Sequence, residues 1–296
     1  MDADILAGVI GRCFPKFDVR TFRVLGEGWD FTALEVNDEY VFRFLKRRDA
    51  ADNLEKEVRL LPELESRLPV RIPHFDHIWH GGAEYELPFV GYRKIEGVPL
   101  GNWCLNSPNM DGLANELGSI ITELHSFPMD LIDRLGVIHL DTTQWEDKFR
   151  IFHGKICERV FPLLDAEQQS EVSEFWDAYF SNSANFRFTP ALLHDDLAGE
   201  HIRCDKAKGA VSGIIDWTDA SVGDPALDFT GILDDCGVEF TKKVLSAYRG
   251  KADADLLKRA TFYSKVVPFY EILYGLDFDR PHLDHGLRHL RSKILL

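Results

Sequence analysis

The chain has 296 residues, 45% of them hydrophobic and 28% charged, and its 34 lysines and arginines stand against 49 aspartates and glutamates for a formal net charge of −15. That composition is globular and excludes a disordered tail, a collagen-like chain and a disulfide-framed miniprotein. The acidic balance argues against a nucleic-acid partner, which wants a basic face, and would draw a cationic ligand.

No uncharged apolar run approaches the ~18 residues of a membrane-spanning helix, so no membrane association is expected. The first residues include Asp2 and Asp4, acidic where a secretory leader is basic. Five cysteines, Cys13, Cys104, Cys157, Cys204 and Cys236, are scattered without a Cys-x-x-Cys pair. Neither a disulfide framework nor a thiolate zinc site is indicated, and a reduced, cytoplasmic setting with a monomeric chain is expected.

Residues 21–25 read as a strand, interrupted by Gly26, Glu27 and Gly28. Residues 31–36 and 40–45 resume extended patterning, and Asn37, Asp38 and Glu39 between them are turn formers, so a hairpin is predicted. Residues 52–61 place Leu54, Val58 and Leu61 at helical spacing, with Pro62 expected to end or kink the helix. Residues 77–80 and 87–92 read as a strand pair around Gly81 and Gly82, followed by a hinge near 91–97. Leu117, Ile120, Ile121 and Leu124 mark an amphipathic helix over 113–127, stopped by Pro128. Helices are predicted over 145–164 and 168–180, then strands at 191–193, 201–204 and 210–215 with a turn at 205–209, and helix from Pro225 onward. The division expected is a strand-rich lobe over 1–95 and a mainly helical lobe over 96–296.

The chemistry concentrates in His194, Asp195, Asp196, Leu197, Ala198, Gly199, Glu200 and His201, followed by Asp216 after the run Gly213, Ile214, Ile215. Asp196 follows a strand, His201 opens the next, and Asp216 ends the strand that returns from it. A hairpin brings its ends together, so one base and two metal-ligand candidates can converge. Phosphoryl transfer uses such a set: a carboxylate for the attacking hydroxyl and ligands for Mg²⁺ on the phosphates.

These residues resemble the aminoglycoside phosphotransferases, protein-kinase-like antibiotic kinases, over nearly the whole chain. The loop 194–201 is similar to the family's His-Gly-Asp-x-x-x-x-Asn pattern. Asp216 is similar to its second metal carboxylate, and Gly223, Asp224, Pro225, Ala226, Leu227, Asp228 and Phe229 to the segment after it. Asp195 stands where the family has Gly, and His201 where Asn is commoner; a His there resembles the branch acting on the 2''-hydroxyl. The resemblance implies an α+β, bilobal kinase-like fold with Asp196 as catalytic base and His201 and Asp216 on Mg²⁺. ATP or GTP would be the donor and an aminoglycoside the acceptor.

In the N-terminal lobe, Gly26 and Gly28 would let backbone approach phosphates. Arg43 stands on the third strand, where kinases place a phosphate-contacting Lys, with Glu57 as its helix partner and Glu55 as the competing choice. Arg93 and Ile95 would read the base through their backbone groups. Asp234, Asp235, Glu239 and Glu271, together with Asp196, are expected to face the substrate's amines. His194 is expected to brace the loop, and Asp195 to point away from Asp196. Trp29, Trp103, Trp145 and Trp217 are read as packing residues. Rival readings are the same fold acting on a macrolide, a hygromycin-like or peptide antibiotic or a choline-like metabolite, a non-catalytic nucleotide-binding module, and a metal-dependent hydrolase built on the 194–196 cluster.

Overall fold

The computed structural model describes residues 2–295. Helix α1 (Ala3–Cys13) begins at Asp2, whose side chain accepts a hydrogen bond from the Asp4 backbone N–H at 2.9 Å. Leu6, Ala7, Val9 and Ile10 form its buried stripe. The sequence reading assigns no element here, although that spacing is visible in it.

Five antiparallel strands follow in one sheet: β1 (Phe22–Glu27), β2 (Phe31–Val36), β3 (Tyr40–Leu45), β4 (Phe75–Trp79) and β5 (Phe89–Arg93), in the order β1-β2-β3-β5-β4. The β2–β3 hairpin pairs Val36 with Tyr40, and its turn holds Asn37 and Asp38 at φ of 57° and 58°. Asn and Asp tolerate that left-handed backbone better than other non-glycine residues. α1 covers one sheet face, over Leu34, Val36, Phe42, Phe44 and Phe89. Helix α2 (Ala51–Glu65) covers the other, where Leu54 packs with Phe31, Leu45 and Val90. With both faces covered, β3 is buried from Val41 to Leu45 and loses the polar–apolar alternation of a half-exposed strand.

Pro62 does not end α2, which runs one turn further to Glu65. An interior Pro costs about 3 kcal/mol. The turn beyond it buries Leu64 completely, worth roughly 1.5–3 kcal/mol, which offsets most of that cost.

The short strand β6 (Val98–Pro99) leads into helices α3 (Met110–His125), α4 (Met129–Leu135), α5 (Thr142–Arg159) and α6 (Ala166–Ser181). α5 and α6 each open on a capping box, Asp141 with Gln144 and Asp165 with Gln168. The helix expected over 145–164 stops at Arg159, and a short 3-10 turn containing Pro162 follows. Strands β7 (Ala191–Leu193), β8 (Ile202–Asp205), β9 (Ala210–Ile214) and β10 (Ser221–Gly223) come next, then helices α7 (Thr230–Ala247), α8 (Leu256–Asp277) and α9 (Arg280–Lys293). β8 is the centre of a small sheet, paired with β6 on one side and β9 on the other. β7 pairs with β10. The chain between β5 and β6 therefore crosses from the large sheet to the β8–β9 hairpin, and the loop before β8 and the residues after β9 face the junction. Among the described residues, no helix is long and apolar enough to cross a membrane.

Candidate active site

The loop between β7 and β8 is held by a carboxylate 34 residues away. Asp228, wholly buried, accepts the backbone N–H groups of His194 at 3.0 Å and Asp195 at 3.1 Å. It also accepts from His125 Nε2 at 3.1 Å, and His125 Nδ1 in turn meets the Tyr248 hydroxyl at 2.8 Å. Asp228 lies in the quoted 223–229 segment, but its role depends on a tertiary contact that local spacing does not carry. Its neighbour Asp224 is buried too and takes the Arg259 guanidinium in a fork, at 2.6 and 3.0 Å.

His194 braces the loop, its Nε2 donating to the Ile215 carbonyl at 3.0 Å. Burial first, then the neighbouring His201, pushes its imidazole down to about 4, so it is neutral. Asp195 turns its carboxylate to the Ser221 hydroxyl at 2.5 Å and lies 3.9 Å from Lys148. It adopts a left-handed backbone, φ 67°, which sets the Asp196 side chain apart from it.

Asp196 keeps half of its side chain open to solvent. The surrounding protein, with Asp219, Asp216 and Glu200, nevertheless pushes its carboxyl up to about 7, against the pull of His201. His201 lies in a 3-10 turn immediately before β8 rather than in the strand. Its Nδ1 donates to the Asp196 carbonyl at 2.8 Å and stands 3.4 Å from the Asp196 carboxylate. Its Nε2 is 3.8 Å from Asp216 Oδ2. Asp216, the second non-glycine residue here with positive φ (66°), is held by Arg43 Nη2 at 2.7 Å and by the Thr218 hydroxyl at 3.1 Å, both on Oδ1. Burial would raise the Asp216 carboxyl, and the Arg43 guanidinium above all, with His201, more than reverses it, so it is ionised. Asp219 beside it is pushed up to about 6 by its enclosure and by Asp195 and Asp216. The three groups expected to converge thus do so.

The donor set suits a divalent cation. In its neutral form His201 keeps its Nδ1 proton on the Asp196 carbonyl and turns the Nε2 lone pair toward the second oxygen of an ionised Asp216. Asp196 and Asp216 hold the ring's pKa up against burial, so a cation taking this place displaces the Nε2 proton. Asp219 supplies a third carboxylate nearby.

Arg43 and Glu57 form the expected pair, at 2.8 and 3.0 Å, but the rest of the environment differs from expectation. Arg43 is 5% exposed, and its other amino group is spent on Asp216 and, at 2.5 Å, on Thr218. Asp216 and Glu57 hold it charged despite burial. It bridges the two lobes through a carboxylate 173 residues away and does not project into open space for a phosphate.

Gly26 lies in β1 beside an irregularity in the β1–β2 register, and Gly28 lies beyond β1, its N–H donating to the Phe31 carbonyl at 2.9 Å. Trp29, at the tip of that loop and nearly half exposed, stacks on Tyr274 of α8 with ring centres 4.4 Å apart and planes 11° from parallel. It is a contact between the lobes, unlike the buried Trp145 and Trp217. The Arg93 side chain turns outward to Glu39, while Ile95 is buried against Gly213 of the β8–β9 hairpin.

The four acids proposed for substrate do not form one wall. Asp235 accepts the Gly199 N–H at 2.7 Å and so supports the 194–201 loop from beneath. A Cβ at Gly199 would lie 2.5 Å from that carboxylate and 2.6 Å from the Leu100 carbonyl, so only glycine fits. Asp234 bonds the Ser264 hydroxyl and pairs with Lys293 at 2.8 Å. Glu239 is an exposed partner of Lys242. Glu271 pairs with His289 and His285 of α9.

A small antiparallel sheet set over a larger helical lobe, with these carboxylates where the two meet, is the architecture of the protein-kinase-like enzymes. The match is specific at the level of sequence as well: the chain belongs to the phosphotransferase enzyme family, whose model covers residues 21–262. It is 26% identical over 264 residues to viomycin phosphotransferase of Streptomyces vinaceus, spanning 87% of this chain and 88% of that one. The solved GDP and kanamycin complex of APH(2'')-IIIa has a TM-score of 0.88 and 31% identity over 97% of each chain. Macrolide 2'-phosphotransferase MphH from Brachybacterium faecium shares the fold, with a TM-score of 0.76 and 21% identity over 97% of this chain and 98% of that one.

Proposed function

We propose that this phosphotransferase moves the γ-phosphoryl group of ATP or GTP to a hydroxyl of an aminoglycoside. The reading rests above all on the half-open Asp196 carboxylate standing 3.4 Å from His201, whose other ring nitrogen is 3.8 Å from Asp216. Asp196 orients the acceptor hydroxyl and takes its proton. His201 and Asp216 would hold Mg²⁺, which would supply charge neutralisation on the donor's phosphates. Arg43 acts through Asp216, fixing the carboxylate's rotamer from the opposite lobe, with Glu57 holding Arg43. Gly26 and Gly28 line the phosphate side of the nucleotide cleft, and the backbone at Arg93 and Ile95 takes the base.

A cationic acceptor is favoured because Asp196, Glu200, Asp216 and Asp219 gather at one point, where only Asp216 is paired with the buried Arg43. Kanamycin sits in the APH(2'')-IIIa complex, which makes a 4,6-linked aminoglycoside the first acceptor to test. The resemblance to viomycin phosphotransferase carries a second reading, a basic peptide antibiotic as acceptor. The protein would act as a cytoplasmic monomer.

The test is product mass after incubation with Mg²⁺, ATP or GTP, and kanamycin, viomycin, a macrolide or choline. One added phosphoryl group on kanamycin is expected. Transfer to viomycin alone would select the second reading, and nucleotide binding without transfer to any acceptor would discard both. Asp196→Ala is expected to lower turnover by about 10²–10⁴-fold while nucleotide still binds; retained turnover would remove Asp196 from the chemistry.

A further inference from the structure

The antiparallel pair α8 and α9 carries a side-chain group outside the phosphotransfer machinery. Glu271 lies on α8, while His285 and His289 stand one turn apart on α9 and share a face. The helices approach closely at two glycines. A Cβ on Gly286 would lie 2.8 Å from the Ile272 backbone nitrogen and 3.0 Å from the Glu271 Cβ, and one on Gly275 would lie 2.1 Å from the Leu283 nitrogen. Backbone contact of that kind lets a glutamate and two imidazoles meet end to end. Glu271 Oε2 is 3.0 Å from His289 Nδ1, and Oε1 is 3.7 Å from His285 Nε2. One ligand atom from each of the three residues lies within 4.8 Å of the other two.

We propose that Glu271, His285 and His289 form a divalent transition-metal site, with Zn²⁺ as the ion that suits it. Zinc bonds imidazole nitrogen and carboxylate oxygen at about 2.0–2.2 Å, so donors in a tetrahedral shell stand roughly 3.3–3.5 Å apart. The observed spacing needs only small side-chain rotations to match. Two imidazoles and one carboxylate favour zinc over Mg²⁺ or Ca²⁺, which prefer oxygen ligands. Three protein ligands leave a fourth position for water. The His285 ring is open to solvent, and Glu271 and His289 are partly covered, so the site has both an entry path and a wall.

The ion would clasp α9 to α8. The same helix carries Lys293, whose ammonium reaches Asp234 at 2.8 Å and the Ser264 carbonyl at 3.0 Å. A clasp on α9 therefore stiffens the wall next to Asp235, the support of Gly199. The inference stands apart from the acceptor assigned above, because its readouts are binding and stability.

The experiment titrates chelator-treated protein with Zn²⁺ in excess Mg²⁺ by calorimetry, follows Co²⁺ by visible absorption, and measures Tm with and without Zn²⁺. Wild type is expected to show one saturable event assigned to this group, a rise in Tm and the absorption of cobalt at low coordination number. H285A/H289A removes all three, E271Q weakens them, and H282A, whose ring belongs to Asp279 on the same helix, leaves them unchanged. If the double variant does not fold, H289Q alone carries the test. Equal zinc affinity in wild type and H289Q, or no saturable binding in wild type, overturns the proposal.

Discussion

Two loops face each other across the cleft and are held in different ways. The 194–201 loop rests on buried carboxylates: Asp228 takes two of its backbone N–H groups and Asp235 a third. The loop from Gly28 to Asp30 is tied by two backbone bonds to its flanking strands, Gly28 N–H to the Phe31 carbonyl at 2.9 Å and Lys46 N–H to the Asp30 carbonyl at 2.7 Å. Otherwise it is held by a Lys46 ammonium on the Gly28 carbonyl at 3.0 Å, an Arg47–Asp30 ion pair at 2.8 Å and the Trp29 ring resting on Tyr274. Groups that must stay within tenths of an ångström of reacting atoms are anchored on desolvated charge, where a hydrogen bond is strong. Groups that must admit a ligand are anchored on surface contacts, which break at little cost.

The largest expected effect lies in the floor. Asp228→Asn leaves at least one of the two loop N–H groups poorly served and should cost about 1.5–3 kcal/mol in denaturant unfolding, with turnover falling alongside. Unchanged stability would mean that the loop is not carboxylate-anchored. Next is the bridge between lobes. Arg43→Lys keeps the charge but cannot serve Glu57 and Asp216 in one fork, and a displaced Asp216 should lower kcat by about 10²-fold or somewhat less, with the protein still folded. Wild-type kcat in that variant would show that Asp216 needs no help from the other lobe.

A smaller effect is expected from pH. Asp196 accepts a proton only when ionised, and its carboxyl is pushed up to about 7. Its raised value means that the active form is lost as pH falls, so kcat/KM should drop about tenfold per unit well below that point. Asp196 and His201 titrate together, so the apparent value belongs to the pair. Asp219→Asn removes a charge that raises Asp196 and should move the acid limb to lower pH; an unmoved limb would place the titration elsewhere. The smallest effect is at the lip. Trp29→Ala should cost no more than about 0.5–1.5 kcal/mol, read as a modest rise in KM for nucleotide with Tm nearly unchanged. A large loss of stability would show the lip to be as firmly built as the floor.

What could be read from the sequence was what short range determines. The 31–45 hairpin was legible because Asn37 and Asp38 are turn formers between two apolar runs. The meeting of Asp196, His201 and Asp216 was legible because one hairpin joins them. Contacts that close long loops were not: Asp228 under His194, Arg43 on Asp216, Trp29 on Tyr274. Asp228, Arg43 and Trp29 stand out in the sequence, but nothing local names their partners. Asp234, Asp235, Glu239 and Glu271 share a composition but meet different neighbours, which their spacing in the chain does not carry. Pro62 does not end its helix, because a local rule met a buried leucine on the next turn.

Position 195 has a consequence for descent. The residue there needs a left-handed backbone, φ 67°, which glycine adopts freely and aspartate adopts at a cost of about 1–3 kcal/mol. Codons for the two differ by a single base, so a lineage can pass between them in one step. That step exchanges backbone strain for a buried carboxylate on Ser221. A loop of this kind can therefore gain or lose a charge beside Asp196 while its path is kept by Asp228, which holds the loop through backbone N–H groups that either residue supplies.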